Sequence, residues 1–405
     1  MRIFWNRLAR EWRTVEDACP YEIIFNSQLS TEMTGGFILN ILDNYELQQA
    51  FGASDCAGTD MRSAISRWFG LYYDPTACLQ LPYTIVRKLV RAVFSEYTPH
   101  SSSGALESLC YKEALEQALI GGECYLKPVF DGAWHWRCVP RNAILIFERD
   151  PQGLPTDVGM TEARSLGRQY FTLLERRSLD EKGYLTIQNR LFRSGSQNSL
   201  GREVSLKAHP AYAQLPGRYT FPYPLGNVGL VQVKTPMANC IDGSREGVSV
   251  YAAAEAIIAA AEENEAQLQG EFRKGQSRLV VSRDMLSRGQ LEEDLFVALD
   301  ESPEIMGITV FSPQLREQSY LARQQAYLRC VENIIGLKRG LLSQVEAVDR
   351  TATEITSSEG EYMTTVMELQ RMFERAAAEA MALVAAIDRK AVGEYSISWG
   401  DGVIN

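Results

Sequence analysis

Hydrophobic positions change their spacing part-way along this chain. Up to about residue 245 they fall into short runs that predict mixed α and β structure. Ala105–Ile120 predicts a helix stopped by Gly121-Gly122, and Glu123–Val129 and Trp134–Val139 predict strands joined across the hairpin pair Asp131-Gly132. Ile144–Phe147, Gln169–Arg176 and Tyr184–Phe192 predict further strands, with Asp180–Gly183 as the polar turn between the last two.

From Ser249 the period becomes helical. Val250, Ala254, Ile257, Ala261, Leu268 and Phe272 recur on one face through Lys274, while Glu255, Glu262, Glu263, Glu265 and Glu271 fill the others, which predicts one amphipathic helix. Strand-like Arg278–Ser282 and Gly307–Phe311 then bracket a stretch, Leu291–Glu304, that holds Glu292, Glu293, Asp294, Asp300, Glu301 and Glu304 and no Lys or Arg. A second helix is predicted with Ser312 as N-cap and Pro313 at its first position, and with a seam of Tyr320, Leu321, Tyr327, Leu328, Val331, Ile334 and Ile335. Gly336–Arg350 breaks the pattern. The capping box Thr351-Ala352-Thr353-Glu354 opens a third helix to about Asp388, with Gly360 placed to kink it, and Tyr395–Trp399 predicts a last strand. The expected fold class is α+β.

Composition narrows the function. At 405 residues and 45% hydrophobic the chain can bury a large core in two or three domains, and a net charge of -10 argues against a protein whose main task is gripping phosphates. His100, His135 and His209 leave little room for a His-built metal site or a Ser/His/Asp triad, and no P-loop occurs. No catalytic residue, metal or cofactor is therefore expected. A Mg²⁺ nuclease built on Glu292, Glu293 and Asp294 is disfavoured, because consecutive carboxylates in an insert do not converge as ligands without a fold that makes them. The eight cysteines lack any CxxC pair and read as reduced core thiols. Met1–Trp12 has no signal-peptide core, and the most apolar run, Val250–Ala261, is broken by Glu255, so a soluble, cytosolic protein is expected.

Two long helices with a β insert at their shared far end cannot bury every apolar stripe on each other, so lateral neighbours are expected. A coiled-coil dimer is the plain form. A ring is the sharper one: twelve helices at about 10 Å spacing give a circumference of roughly 120 Å and, less a helix width, a bore of roughly 28 Å, enough for duplex DNA. Six copies leave only about 9 Å. An acidic wall would let a polyanion slide.

Several separated motifs then resemble one family in its own order: Lys234-Thr235-Pro236-Met237-Ala238-Asn239-Cys240-Ile241-Asp242, Glu246–Tyr251, Gln269–Gly275 and Arg350–Ile355. Together with weaker likeness at Ala114–Pro128 and Glu175–Ser194, they resemble portal proteins of tailed bacteriophages of the Gram-positive siphophage type, over most of the chain from about residue 60. The resemblance implies a portal fold and a dodecameric ring at one capsid vertex, in the virion and, during assembly, the host cytoplasm. It implies a conduit for double-stranded DNA packaging and ejection, with the terminase large subunit, head-completion or adaptor proteins and major capsid or scaffold protein as partners, and no membrane. The other reading kept open is a different phage minor capsid or neck adaptor protein.

By the same resemblance, residues 1–248 are the wing, 249–274 and 313–336 the stem, 275–312 the clip, 337–351 the tunnel loop, and 352–405 the long wing helix and terminal strand. Family chains usually continue further, so a crown is expected to be short or absent. Lys338, Arg339, Ser343, Gln344, Val345 and Glu346 are the implied DNA-lining residues, in a loop whose Lys338, Arg339 and Arg350 stand against Glu346 and Asp349, 3 - 2 = +1. The plainer account of Lys338 and Arg339 is the dipole of the preceding helix C-terminus. Glu292, Glu293, Asp294, Asp300 and Glu301 are the implied clip docking residues, or simply a solvated face. Arg273 and Lys274 suit a helix end, and Trp68, Phe69, Tyr72 and Tyr73 suit core packing or a subunit contact.

Overall fold

The computed structural model describes residues 41–52, 59–130, 132–197, 199–275, 278–282, 296–299, 309–311, 314–344 and 352–399. They fall into two compact units. One takes in the chain through Asp74, Pro82–Ala253 and the residues from Gly360 onward; the other comprises Pro75–Leu81 and Ala254–Glu359. Helices and sheets are both present, and the fold class is α+β.

The first unit opens with α1 (Tyr45–Ala50), α2 (Thr59–Tyr72) and α3 (Leu81–Val93). Asn44 caps α1 by accepting from the Leu47 amide, and α3 is helical because Ile85, Val86, Leu89, Val90 and Val93 form a single buried stripe. After β1 (Thr98–Ser101), α4 (Tyr111–Gly121) leads into β2 (Glu123–Phe130) and β3 (Trp134–Pro140). β10 (Val231–Lys234) completes that sheet in the order β10-β2-β3.

The larger sheet runs β4 (Ile144–Arg149), β5 (Pro155–Leu166), β6 (Gln169–Leu179), β7 (Tyr184–Ser194) and β8 (Arg202–Val204), and β9 (Arg218–Pro224) also pairs with β7. Asp180 makes the β6–β7 turn by accepting from the amides of Lys182 and Tyr184. One core cluster, including Tyr125, Val139, Ile144, Val158 and Leu230, draws on residues of both sheets.

β2 lies between two strands and is buried for almost its whole length, so it shows no alternation, and its two charged residues must be paired internally. Lys127 donates to Glu175 at 2.6 Å, and Arg177 donates to the other oxygen of Glu175 at 2.6 Å and to the Gly229 carbonyl. Burial alone would push the Glu175 carboxyl up, but Arg177 and Lys127 outweigh it and hold it at about 2. Glu123 accepts from Arg149, Tyr125 and Gln232 and pairs with Arg141 at 3.1 Å. It too would be raised by burial and is brought below the usual carboxylate range by Arg149 and Arg141.

Gly122, Thr235 and the Gly247–Tyr251 segment have a packing role. Gly122 ends α4 at φ +83°, and a Cβ on it would lie 2.3 Å from the backbone of Gly247, so both segments need glycine to pass this closely. Thr235 Oγ1 lies within hydrogen-bond reach of the Gly122 and Val248 carbonyls. Ser249 and Val250 donate to the Leu119 carbonyl, and Tyr251, fully buried, donates to that of Trp68.

These contacts displace predicted boundaries. The helix expected from Ser249 starts at Glu255, because Ser249 and Val250 are spent on holding α4 and Tyr251 on holding α2. The helix expected from Ala105 starts at Tyr111, because Glu107 folds back to accept from the Ser101 amide and hydroxyl. Trp68, Phe69 and Tyr72 are core residues, while Tyr73 is exposed. Cys124 and Cys138 are buried thiols, but Cys78, Cys240 and Cys330 are exposed, which corrects the expectation of core thiols throughout.

In α7 (Ala352–Asp388) the helix runs through Gly360 without interruption. Beyond it, β14 (Tyr395–Ser398) pairs antiparallel with β1, and Phe94, Phe373 and Trp399 pack together with Tyr97 and Tyr111. The Glu175 cluster yields a direct test. Glu175→Gln leaves Lys127 and Arg177 buried without a counter-charge and is expected to cost roughly 3–5 kcal/mol in urea unfolding at pH 7. Because the folded carboxyl is depressed, its contribution is complete above the unfolded value of about 4.5 and is lost as pH falls towards about 2. The gap between variant and wild type should therefore narrow across that window.

Candidate functional site

The second unit is built on α5 (Glu255–Lys274) and α6 (Glu317–Ile335), with β11 (Arg278–Ser282), β12 (Phe296–Leu299) and β13 (Thr309–Phe311) between them in sequence. β11 is central, parallel to β12 and antiparallel to β13. Asn264 meets Gln324 and Glu271 meets Arg316, so the two helices run antiparallel.

Their seam differs from the expected one. On α5 it is Ile258, Ala261, Asn264 and Leu268, with Phe272 exposed; on α6 it is Gln324, Leu328, Val331, Glu332 and Ile335, with Leu321 and Ile334 exposed. The reason is polar. Asn264 Nδ2 donates to Gln324 Oε1 at 2.8 Å and to the Tyr320 carbonyl at 3.1 Å, and a buried amide pair satisfied this way fixes register, since a slip of one turn would strand both groups. The helix expected from Ser312 starts at Glu317, after Arg316 has turned to bond both Glu271 oxygens. On the α5 side, Glu262 accepts from the amides of Cys78 and Leu79 and ties in the Pro75–Leu81 segment.

The end of α6 is where the resemblance implied DNA-lining residues. Gly336 caps the helix in the left-handed region at φ +75°, and the Leu337 amide returns to the Glu332 carbonyl. Glu332 itself is fully buried, and its carboxylate organises the loop beyond the helix end. Oε1 accepts from the amides of Gly340 (3.1 Å), Leu342 (2.6 Å) and Ser343 (2.9 Å), and Oε2 accepts from the Ser343 hydroxyl (2.7 Å). Four donors on one carboxylate replace the water it has lost.

Ser343 is thus buried at the base of the loop. The Gln344 amide donates to Gln325 Oε1 and Gln344 is exposed, Lys338 is half-buried and Arg339 is exposed. Val345 and Glu346 lie outside the described residues, as do Glu292, Glu293, Asp294, Asp300 and Glu301 of the acidic stretch. Glu332 escaped the sequence reading because a glutamate on a predicted seam registers as an interruption of the apolar pattern. The signal that could have found it is the run Gly336–Gly340–Ser343, which exposes backbone amides within reach of the last helical turn.

Among the described residues no group of three or more His, Cys, Asp or Glu side chains is arranged to hold a metal ion, and no helix is long and apolar enough to cross a membrane. In the first unit, an open depression of about 410 Å³ is lined by Glu46, Gln49, Ala50, Ser199, Leu200 and Gly201. Its carboxylate already accepts from the Leu200 amide. That group is holding a loop. Neither protein-family models nor curated proteins give any match to this chain.

The Glu332 arrangement is testable by amide exchange. Glu332→Gln keeps the size but removes the charge that makes these hydrogen bonds worth about 1.5–3 kcal/mol each. The Gly340, Leu342 and Ser343 amides should then exchange at least about tenfold faster, with a smaller change in Ser343→Ala, which loses a single bond. Unaltered exchange in the glutamine variant would mean that the carboxylate does not organise the loop.

Proposed function

We propose that this chain is a portal-type protein, a ring-forming structural component that gives double-stranded DNA a passage through one vertex of a tailed-phage capsid. It acts without catalysis of its own, in the virion and, before that, in the host cytoplasm. The observation that carries the reading is the order of elements along the chain from Glu255. An antiparallel helix pair is joined in sequence through a small three-stranded sheet, and its second helix leads into a charge-anchored loop and then a helix of 37 residues. That order matches the stem, clip, tunnel loop and long helix that the sequence motifs imply.

Three features support it. The outward positions of α5 and α6 include Ala256, Ala259, Ala266, Ala322 and Ala326, small residues that let neighbouring helices approach closely. Leu321, Ile334 and Phe272 remain exposed, as expected of helices whose remaining apolar surface is covered by further copies. Lys338 and Arg339 follow α6 directly, where a weak positive collar would touch phosphates without holding them.

In this reading the terminase large subunit and the head-completion or adaptor proteins dock on the β11–β13 end, capsid or scaffold protein meets the first unit, and twelve copies close the ring. Native mass measurement and end-on electron images of the purified full chain test it. Twelve or thirteen copies around an open axis are expected. A chain that stays monomeric or dimeric under all assembly conditions, or particles with no axial opening, would overturn the proposal.

A further inference from the structure

A second surface, in the first unit, carries chemistry that neither the fold nor a conduit requires. The apolar stripe of α3 is fully used in the core, so what the helix offers to solvent is Tyr83, Arg87, Lys88 and Arg91, with no acidic residue anywhere along it. Arg87 and Arg91 are one turn apart, and Lys88 sits beside them. None of the three cations has a carboxylate partner among the described residues. Elsewhere in the same unit Arg137, Arg176 and Arg190 are paired with Glu162, Asp157 and Glu203.

The helix dipole accounts for Arg91 in the last turn but not for Arg87 near the middle. Beside the cations stands a tyrosine group. Tyr72 is buried and packs edge-on against Tyr73 at 4.7 Å and tilted against Tyr83 at 5.8 Å, which leaves Tyr73 56% and Tyr83 39% exposed. Arg87 is held in place by these rings, its guanidinium 5.0 Å from the Tyr83 centroid and its Nη1 donating to the Tyr83 hydroxyl at 2.7 Å. Glu116, the carboxylate bonded into the group, accepts from Tyr72 Oη.

We propose that the outer face of α3 with Tyr73 and Tyr83 is a docking surface for an acidic segment of a partner protein. The inference does not rest on the conduit reading. Tyr and Arg are the side chains that anchor protein interfaces, because they offer large contact area and forked donors with little rotamer freedom to lose, and Arg87 is already immobilised. The positive face complements aspartate and glutamate. A membrane is a poor occupant, since the apolar face that would enter it is in the core.

A nucleic acid is also a poor one. Three cations neutralise at most about three phosphates, Arg87 covers one face of the Tyr83 ring against base stacking, and a long polyanion would run on into a chain of net charge -10. A short acidic segment meets this face alone.

The test uses the full chain, a short fluorescein-labelled peptide in which Glu and Asp alternate with Leu and Phe, and a labelled duplex DNA of similar length, with fluorescence anisotropy as the readout. The face variant is Arg87→Glu, Lys88→Glu and Arg91→Glu together. The control variant, Arg202→Glu, Lys207→Glu and Arg218→Glu, makes the same charge change at exposed positions elsewhere in the unit. Circular dichroism confirms that both fold. The peptide is expected to bind the wild type and the control alike and to lose about tenfold or more in affinity for the face variant. No measurable peptide binding to the wild type, equal loss in both variants, or tighter binding of the duplex than of the peptide with loss in the face variant would each overturn the proposal.

Discussion

A carboxylate taken out of water keeps its charge only where the protein supplies other donors in place of the lost hydration. Glu123, Glu175 and Glu332 meet that condition, the first two by gathering groups that are distant in sequence and Glu332 by gathering the loop that follows its own helix. Glu175 on β6 ties Lys127 of β2 to Arg177 and, through it, to the carbonyl of Gly229. Glu123 at the start of β2 gathers Arg141, Arg149 and Gln232, and Arg141 passes the connection on to Glu246. Apolar contact would tolerate a shift of one strand against another. These clusters do not, because a displaced strand would leave a bare charge in the core.

The same constraint acts at the helix pair on a smaller scale. Seams of leucine and valine alone would allow α5 and α6 to slide by a turn, and the buried Asn264–Gln324 pair removes that freedom. Glu332, two turns further along α6 than Gln324, then carries the specification past the helix end. The last turn and the loop share an acceptor, so the residues from Leu337 to Ser343 are positioned by the helix. The next amide, that of Gln344, is held by Gln325 Oε1, also on α6.

How much the sequence could reveal depends on where each residue's interactions lie. Strands β3, β4, β6 and β7 and the hairpin glycine Gly132 were legible because alternation and turn chemistry are local. β5 was not, since its Pro-Thr-Asp-Val-Gly-Met-Thr-Glu run has little alternation and becomes a strand through its neighbours β4 and β6. Helix starts were misplaced wherever a distant carbonyl or carboxylate captured the first turn, as at Ser249 and at Ser101–Glu107. At the candidate site the helix end and Gly336 were visible. The anchor was hidden, because a charged residue on an apolar seam declares its purpose only when its donors, eight to eleven residues on, are seen to fold back.

The balance between buried and exposed charge also bears on α3. A solvent-exposed ion pair contributes at most about 1 kcal/mol, so neither leaving Arg87, Lys88 and Arg91 without carboxylates nor pairing them would matter much to folding. Stability thus gives no reason for three like charges within two turns, in a chain whose acids outnumber its bases by 51 to 41. Their mutual repulsion is a small cost that a bound counter-charge would relieve. It would relieve it most at Arg87, whose side-chain freedom Tyr83 has already removed, so that binding there forfeits little entropy.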